Sequence, residues 1–155
     1  MVSEKSNVFP RKLGVELPRA EKAEGVYIVD NHGRRYLDAS GGAVVANLGQ
    51  SREEIAQAVY DQLMSFYYAH PTMFTSPSVE KLAARLALHS EGDLERFYFL
   101  SSGSEAVETS IKMARQVQLA FGRPQKHRLI ARWKSYHGLT LGALSAMGRT
   151  AFRVP

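Results

Sequence analysis

The sequence predicts an α/β protein: part of a mainly parallel sheet with flanking helices, preceded by an extended N-terminal segment and a small antiparallel hairpin. Three observations predict it. Two β-prone runs flank a glycine-bearing turn near the N-terminus. From residue 52 onward, amphipathic stretches with helix start and stop signals alternate with short apolar runs. Those runs are continuously apolar, as strands buried on both faces of a parallel sheet are.

The opening stretch, to about Ala23, is polar, is broken by Pro10 and Pro18, and is expected to run extended over a surface. Gly25-Val-Tyr-Ile-Val-Asp30 and Arg34-Arg-Tyr-Leu-Asp38 flank Asn31-His32-Gly33, a hairpin signal in which the glycine can take positive φ. Ser40-Gly41-Gly42-Ala43 then breaks regular structure. Ile55, Val59, Leu63 and Phe66 recur at helical spacing. Ser51 is the expected N-cap of that helix, and Glu53 and Glu54 in its first turn favour the positive end of the dipole. Ser76-Pro77 starts a second helix, with Ser as cap and Pro at the first helical position. Val79, Leu82, Leu86 and Ala83 form its expected buried face. Phe97-Tyr-Phe-Leu100 reads as a buried strand. A long helix follows from Ser102 to Phe121, with Val107, Ile111, Ala114, Val117 and Phe121 inward. Gly122 ends it and Pro124 prevents its resumption. Arg128-Leu-Ile-Ala131 reads as the next strand, followed by a loop from Trp133 to Gly138.

The 155 residues suffice for a buried core, and the formal charge of +5 is spread along the chain. Lys126, Arg128, Arg132 and Lys134 form the densest basic stretch, read as a solvated strand end and loop; no nucleic-acid partner is expected. There is no cysteine, hence no disulfide framework and no thiolate metal site, and no metal is expected. Met1 to Arg19 lacks an apolar signal core, and no window has the apolar length to cross a bilayer. A cytoplasmic protein with no membrane partner is the expectation. The chain ends in Ala151-Phe152-Arg153-Val154-Pro155, without terminator or polar tail, which reads as a cut through continuing structure.

Phe97 to Arg115 carries the chemistry: a strand, then Ser101-Ser102-Gly103-Ser104, then a helix. The first backbone N–H groups of a helix lack internal partners, and the dipole adds partial positive charge, so a phosphate suits the site. Gly103 lets the backbone approach closely, and Ser102 and Ser104 offer hydroxyls. Ser102 and Glu105 equally fit a capping box that binds nothing. There is no Walker A spacing and no Gly-x-Gly-x-x-Gly. Ser135-Tyr136-His137-Gly138 follows the next expected strand, whose C-terminal end belongs to the ligand crevice of an open parallel sheet. Tyr136 there is placed to stack on a flat heteroaromatic ring, or is an ordinary loop aromatic beside a surface histidine.

Taken jointly, these segments resemble a known family. Ser102-Gly103-Ser104-Glu105-Ala106-Val107-Glu108, running on to Ile111-Lys112-Met113-Ala114-Arg115, looks like the phosphate-loop helix of the class III, fold type I, pyridoxal-phosphate (PLP)-dependent aminotransferases. Ser135-Tyr136-His137-Gly138-x-Thr140-x-Gly142 resembles their ring-stacking loop. Gly25-x-Tyr27, Asp30-x-x-Gly33, Tyr36-Leu37-Asp38 and Ser40-Gly41 are similar to their N-terminal hairpin and the turn after it. The resemblance spans about residues 20 to 148.

It implies PLP as cofactor and transfer of an amino group between an amine or amino acid and a 2-oxo acid. Ser102, Gly103 and Ser104 would hold the phosphate, Tyr136 would lie over the pyridine ring, and His137 would sit beside it. Ser40, Gly41 and Gly42 would line the substrate side, where some members carry bulky aromatics. Gln50 stands where the family commonly has His after Leu-Gly. Residues 1–50 would be an N-terminal segment with the hairpin, and 51–155 an incomplete cofactor-binding large domain. The full-length protein would be a homodimer. No catalytic residue is assigned. PLP chemistry needs a Schiff-base lysine and an acid at the pyridine nitrogen, which the family carries downstream. None of Lys5, Lys12, Lys22, Lys81, Lys112, Lys126 and Lys134 matches that lysine's position. The chain alone is therefore expected to be inactive. Aminomutases and decarboxylases share these motifs. A non-catalytic phosphate- or nucleotide-binding α/β domain is the alternative.

Overall fold

The computed structural model describes residues 6–90 and 94–152. Lys5 and the expected continuation through Arg153-Val154-Pro155 lie outside the described residues. The chain divides into two compact units that part between Phe74 and Thr75. No helix among the described residues is long and apolar enough to cross a membrane.

The N-terminal unit is built on a three-stranded antiparallel sheet, β1 Ala20–Glu24, β2 Tyr27–Asp30 and β3 Arg35–Leu37, in the order β1-β2-β3. The expected hairpin forms as β2–β3, and Gly33 takes φ +79 in its turn. β1 falls partly in the stretch expected to run extended over a surface, where the sequence predicts no strand. Ala-Glu-Lys-Ala-Glu has little intrinsic strand preference, and its ladder with β2, pairing Lys22 with Val29 and Glu24 with Tyr27, overrides that preference.

Asp30 fixes the hairpin turn. It is 5% exposed. Its Oδ1 accepts the backbone N–H groups of His32 and Arg34, both at 2.9 Å, and its Oδ2 accepts the Tyr36 hydroxyl at 2.8 Å. Burial pushes its carboxyl pKa up, but the bonds from Tyr36, Arg34 and His32 outweigh that, and the net value is lowered. A folded-state pKa below the unfolded value, about 3.9, contributes stability that is present above that value. The contribution is lost as pH falls through the folded pKa. Asp30→Asn should therefore flatten the acid limb of unfolding. Between pH 7 and pH 3 the urea midpoint should fall less in the variant than in the parent, and equal falls would show that Asp30 does not govern it.

After β3 the chain turns through α1, Gly41–Val44, a single left-handed turn with φ of 55, 58, 62 and 68 at Gly41, Gly42, Ala43 and Val44. The expected break at Ser40–Ala43 thus has a definite form. Asp38 organises it: its Oδ1 accepts the Gly42 N–H at 3.3 Å and the Ser40 hydroxyl at 3.4 Å. Gly25 and Gln50 then pair across the unit, with Gln50 donating to the Gly25 carbonyl at 2.7 Å. Helix α2 spans Glu53–Ser65. Ser51 is not its N-cap. It sits at φ +55 and donates its hydroxyl to the Ala23 carbonyl, which leaves Arg52 at the cap position without a side-chain cap bond. Ser51, at positive φ and tied to β1, stands one residue before the cap position.

The C-terminal unit holds α3 Pro77–His89, α4 Gly103–Ala120, α5 Leu141–Ala146 and a 3₁₀ turn, Thr150–Phe152. Ser76 caps α3 as expected, accepting from the Val79 N–H at 3.3 Å with Pro77 at the first position. Gly122 ends α4 at φ +67 in a Schellman motif: Gly122 donates to the Leu119 carbonyl at 2.9 Å and Arg123 to that of Gln118 at 2.8 Å. Arg115 reaches back from α4 to hold the loop that follows, through the carbonyls of Pro124 and Lys126.

Two expectations are not met among the described residues. Residues 97–100 and 128–131 carry no strand, and no parallel ladder exists among the described residues. A parallel strand exists only through bonds to flanking neighbours; here neither segment has one, and Ile130 is 96% exposed. The helix faces read as buried are mostly uncovered as well. On α3 Ala83 of the expected face is half-buried, as is Ala87, while Val79, Leu82 and Leu86 are exposed. On α4 Val107 and Ile111 are half-buried, and Ala114, Val117 and Phe121 are exposed. Burial follows the partners available, and the element that α4 chiefly packs on among the described residues is the short α5. The fully covered side chains of this unit, Ala143 and Met147, lie in and just after α5.

Candidate functional site

The site is built on the first turn of α4. Ser102 is the N-cap in extended conformation, and its Oγ accepts the Glu105 N–H at 3.2 Å, so the forward half of the capping box forms. Gly103 and Ser104 are the first two helical residues, and their N–H groups have no acceptor within the helix. A Cβ built on Gly103 would meet no atom within 4 Å. The backbone there is open to a ligand, at the positive end of an 18-residue helix.

Ser104 faces the other way, into the loop after His137. Its Oγ accepts the Leu139 N–H at 3.0 Å, and its carbonyl accepts the Thr140 hydroxyl at 3.4 Å. As an acceptor, the Ser104 hydroxyl keeps its own proton for a further partner. Gly138 makes the approach close. It is buried at φ +121, and an added Cβ would stand 2.7 Å from Ser104 Oγ and 2.8 Å from Ser104 Cα. The two segments singled out in the sequence, 35 residues apart at Ser104 and Leu139, are thus in direct contact.

Tyr136 is half-exposed at 53%, and the Arg149 guanidinium lies 6.0 Å from its ring centroid. His137 Nε2 is buried without a hydrogen-bond partner among the described residues. Such an atom costs about 1–3 kcal/mol until a polar group reaches it. Ser40, Gly41 and Gly42 lie in the N-terminal unit, in the left-handed turn held by Asp38.

Glu108 was not anticipated. Its Oε2 accepts the Thr140 hydroxyl at 2.7 Å and the Ala143 N–H at 3.0 Å. The Thr140 bond, then the backbone N–H groups of Ala143 and Gly142, lower its pKa against the opposing effect of burial. A signal existed in the sequence: Glu108 lies four residues after Ser104, on the same helical face.

Comparison with known proteins decides the family. The model for aminotransferase class-III matches residues 10–153. The chain belongs to the class-III aminotransferase family. The aminotransferase YodT of Bacillus subtilis is 41% identical over 143 residues, covering 92% of this chain and 32% of YodT. Among solved structures, an (S)-enantioselective omega-transaminase from Thermomicrobium roseum superposes with a TM-score of 0.89 at 34% identity, over 96% of this chain and 34% of that one. An amine transaminase from an uncultivated Pseudomonas species, solved in its PLP-bound form, gives 0.84 at 33% identity, over 97% and 35%. This class-III chain has the α/β fold of those transaminases and spans about a third of the length of the relatives it matches.

Proposed function

We propose that this chain is the phosphate-holding portion of a PLP-dependent aminotransferase that moves an amino group between an amine or amino acid and a 2-oxo acid. The observation that carries the reading is the junction at Ser104, where an open helix N-terminus and the Tyr136-His137 loop are joined. The residues fit the cofactor. A phosphate is met by the N–H groups of Gly103 and Ser104 and by the spare Ser104 proton. Ser102 fixes the entry angle of the helix through its bond to Glu105. Tyr136 offers a ring face to a pyridine, and His137 Nε2 gains the polar neighbour it lacks. When bound, PLP supplies the electron sink for amino-group transfer.

The rest of the reading follows the relatives. Residues 97–100 and 128–131 become parallel strands when flanked by the remainder of a full-length protein, within a large domain that begins near residue 51. Ser40, Gly41 and Gly42 line the substrate side. The covalent lysine and the acid at the pyridine nitrogen are assigned to the two thirds of the relatives that this chain does not span. The full-length protein is a cytoplasmic homodimer.

The test is amino transfer by the full-length protein from an amine and from an amino acid to pyruvate, with product separated by chromatography. Product should require donor, acceptor and added PLP, and the 155-residue chain alone should give none even with PLP in excess. Release of carbon dioxide, or internal migration of the amino group without an acceptor, would assign a decarboxylase or an aminomutase instead. Turnover by the short chain, mapped to one of its own lysines, would overturn the site assignment.

A further inference from the structure

We propose that Glu108 and Thr140 are positioning residues that hold the Tyr136-His137 loop over the phosphate cradle, an inference that rests on the reading of that cradle given above. Ser104 and Glu108 stack one turn apart on the same face of α4, and both engage the segment after His137: Ser104 at Leu139, Glu108 at Thr140 and Ala143. Thr140 is the N-cap residue of α5, yet its side chain makes no cap bond. Its hydroxyl is donated chiefly to Glu108, at 2.7 Å against 3.4 Å to the Ser104 carbonyl, and Glu108 Oε2 accepts the Ala143 N–H that a capping threonine would have taken. The carboxylate of one helix thereby caps the next. Gly142 leaves it room, since a Cβ there would stand 2.7 Å from Glu108 Oε2.

The arrangement has two consequences. The segment is pinned at two places just after Gly138, at Leu139 by Ser104 and at Thr140 and Ala143 by Glu108. The Glu108 carboxylate, one turn along α4 from Ser104, is also occupied by donors of the 140–143 segment. A side chain that contacts no cofactor thus sets where Tyr136 and His137 stand, as groups behind a binding shell do.

The test uses the full-length protein with PLP as titrant. Glu108→Ala and Thr140→Val should each weaken PLP binding about tenfold. The double variant should be no weaker than the worse single, because both remove one linkage. Glu108→Gln, which keeps an acceptor oxygen, should stay within about threefold of the parent. Amide exchange at Leu139 and Ala143 without cofactor should quicken in Glu108→Ala and in Thr140→Val. If Glu108→Ala folds poorly, Thr140→Val carries the same test. Quickened exchange with PLP affinity unchanged would reduce Glu108 to a stabilising contact and overturn the proposal. Gly103→Val is the control: if it too leaves affinity unchanged, the cradle reading itself fails, and this inference with it.

Discussion

Gly103→Val is expected to weaken PLP binding on the order of 100-fold while leaving the fold intact. Affinity and stability depend here on separate features of the site. A Cβ at Gly103 meets no protein atom within 4 Å, so the branched side chain is accommodated by the chain itself. Gly103 is the first residue of α4, where valine is no worse than glycine on helix preference. The melting temperature should move by no more than about 2 °C. The open space is where a phosphate must come to reach the N–H groups of Gly103 and Ser104. Hydrogen bonds to a charged partner are worth about 1.5–3 kcal/mol each, and losing one to two of them gives the expected factor. Titration of PLP absorbance in parent and variant measures it. Parent-like affinity would show that the phosphate sits elsewhere.

Ser104→Ala separates two roles in one hydroxyl. The change removes the proton offered to a phosphate and also the acceptor of the Leu139 N–H. Affinity should fall about tenfold, less than for Gly103→Val, because the backbone donors remain. Leu139 should exchange faster without any cofactor present. An exchange rate equal to that of the parent would mean that Ser104 does not hold the loop.

Local signals account for what the sequence showed correctly. Gly33 at the hairpin turn, Ser76-Pro77 at the start of α3 and Gly122 with Pro124 at the end of α4 act through their own backbone chemistry. No distant partner is needed for any of them. Ser102 belongs with these, since its cap bond to Glu105 spans three residues. What was not visible needs a partner outside the segment itself. β1 depends on β2. Ser51 looks like an N-cap in sequence but bonds to Ala23, 28 residues away. The apolar runs at 97–100 and 128–131 have strand composition, yet a ladder requires neighbours that the described residues do not provide.

The candidate site divides along the same line. The residue types at 102–104 and 136–137 were readable as phosphate and ring chemistry. Their contact through Ser104 and Leu139 is a long-range fact that no local pattern contains. Glu108 went unread because a glutamate on a helix is ordinarily solvated. Only the fold of residues 138–143 back onto α4 gives it the Thr140 hydroxyl and the Ala143 N–H as donors.

Gly138→Ala is expected to damage stability and cofactor binding together, in contrast to Gly103→Val. Gly138 takes φ +121, a conformation that L residues rarely adopt, which costs about 1–3 kcal/mol. The new Cβ also falls 2.8 Å from Ser104 Cα, a contact that neither side can relieve by rotating a side chain. Overpacking of this kind costs a further 1–3 kcal/mol or so. Together they amount to about 2–6 kcal/mol, a large part of a domain's stability. Relief requires the 138–140 segment to lift from the first turn of α4, which breaks the bond between Ser104 Oγ and Leu139 and carries Tyr136 and His137 away from the cradle. The melting temperature should fall by several degrees and PLP affinity at least tenfold. A second variant fixes the cause. Ser104→Gly in the Gly138→Ala background removes the Oγ and Cβ that the new methyl would meet, but leaves Cα in place. Recovery should therefore be slight. Full recovery would locate the clash in the Ser104 side chain and show that the backbones can close on one another without a glycine at 138.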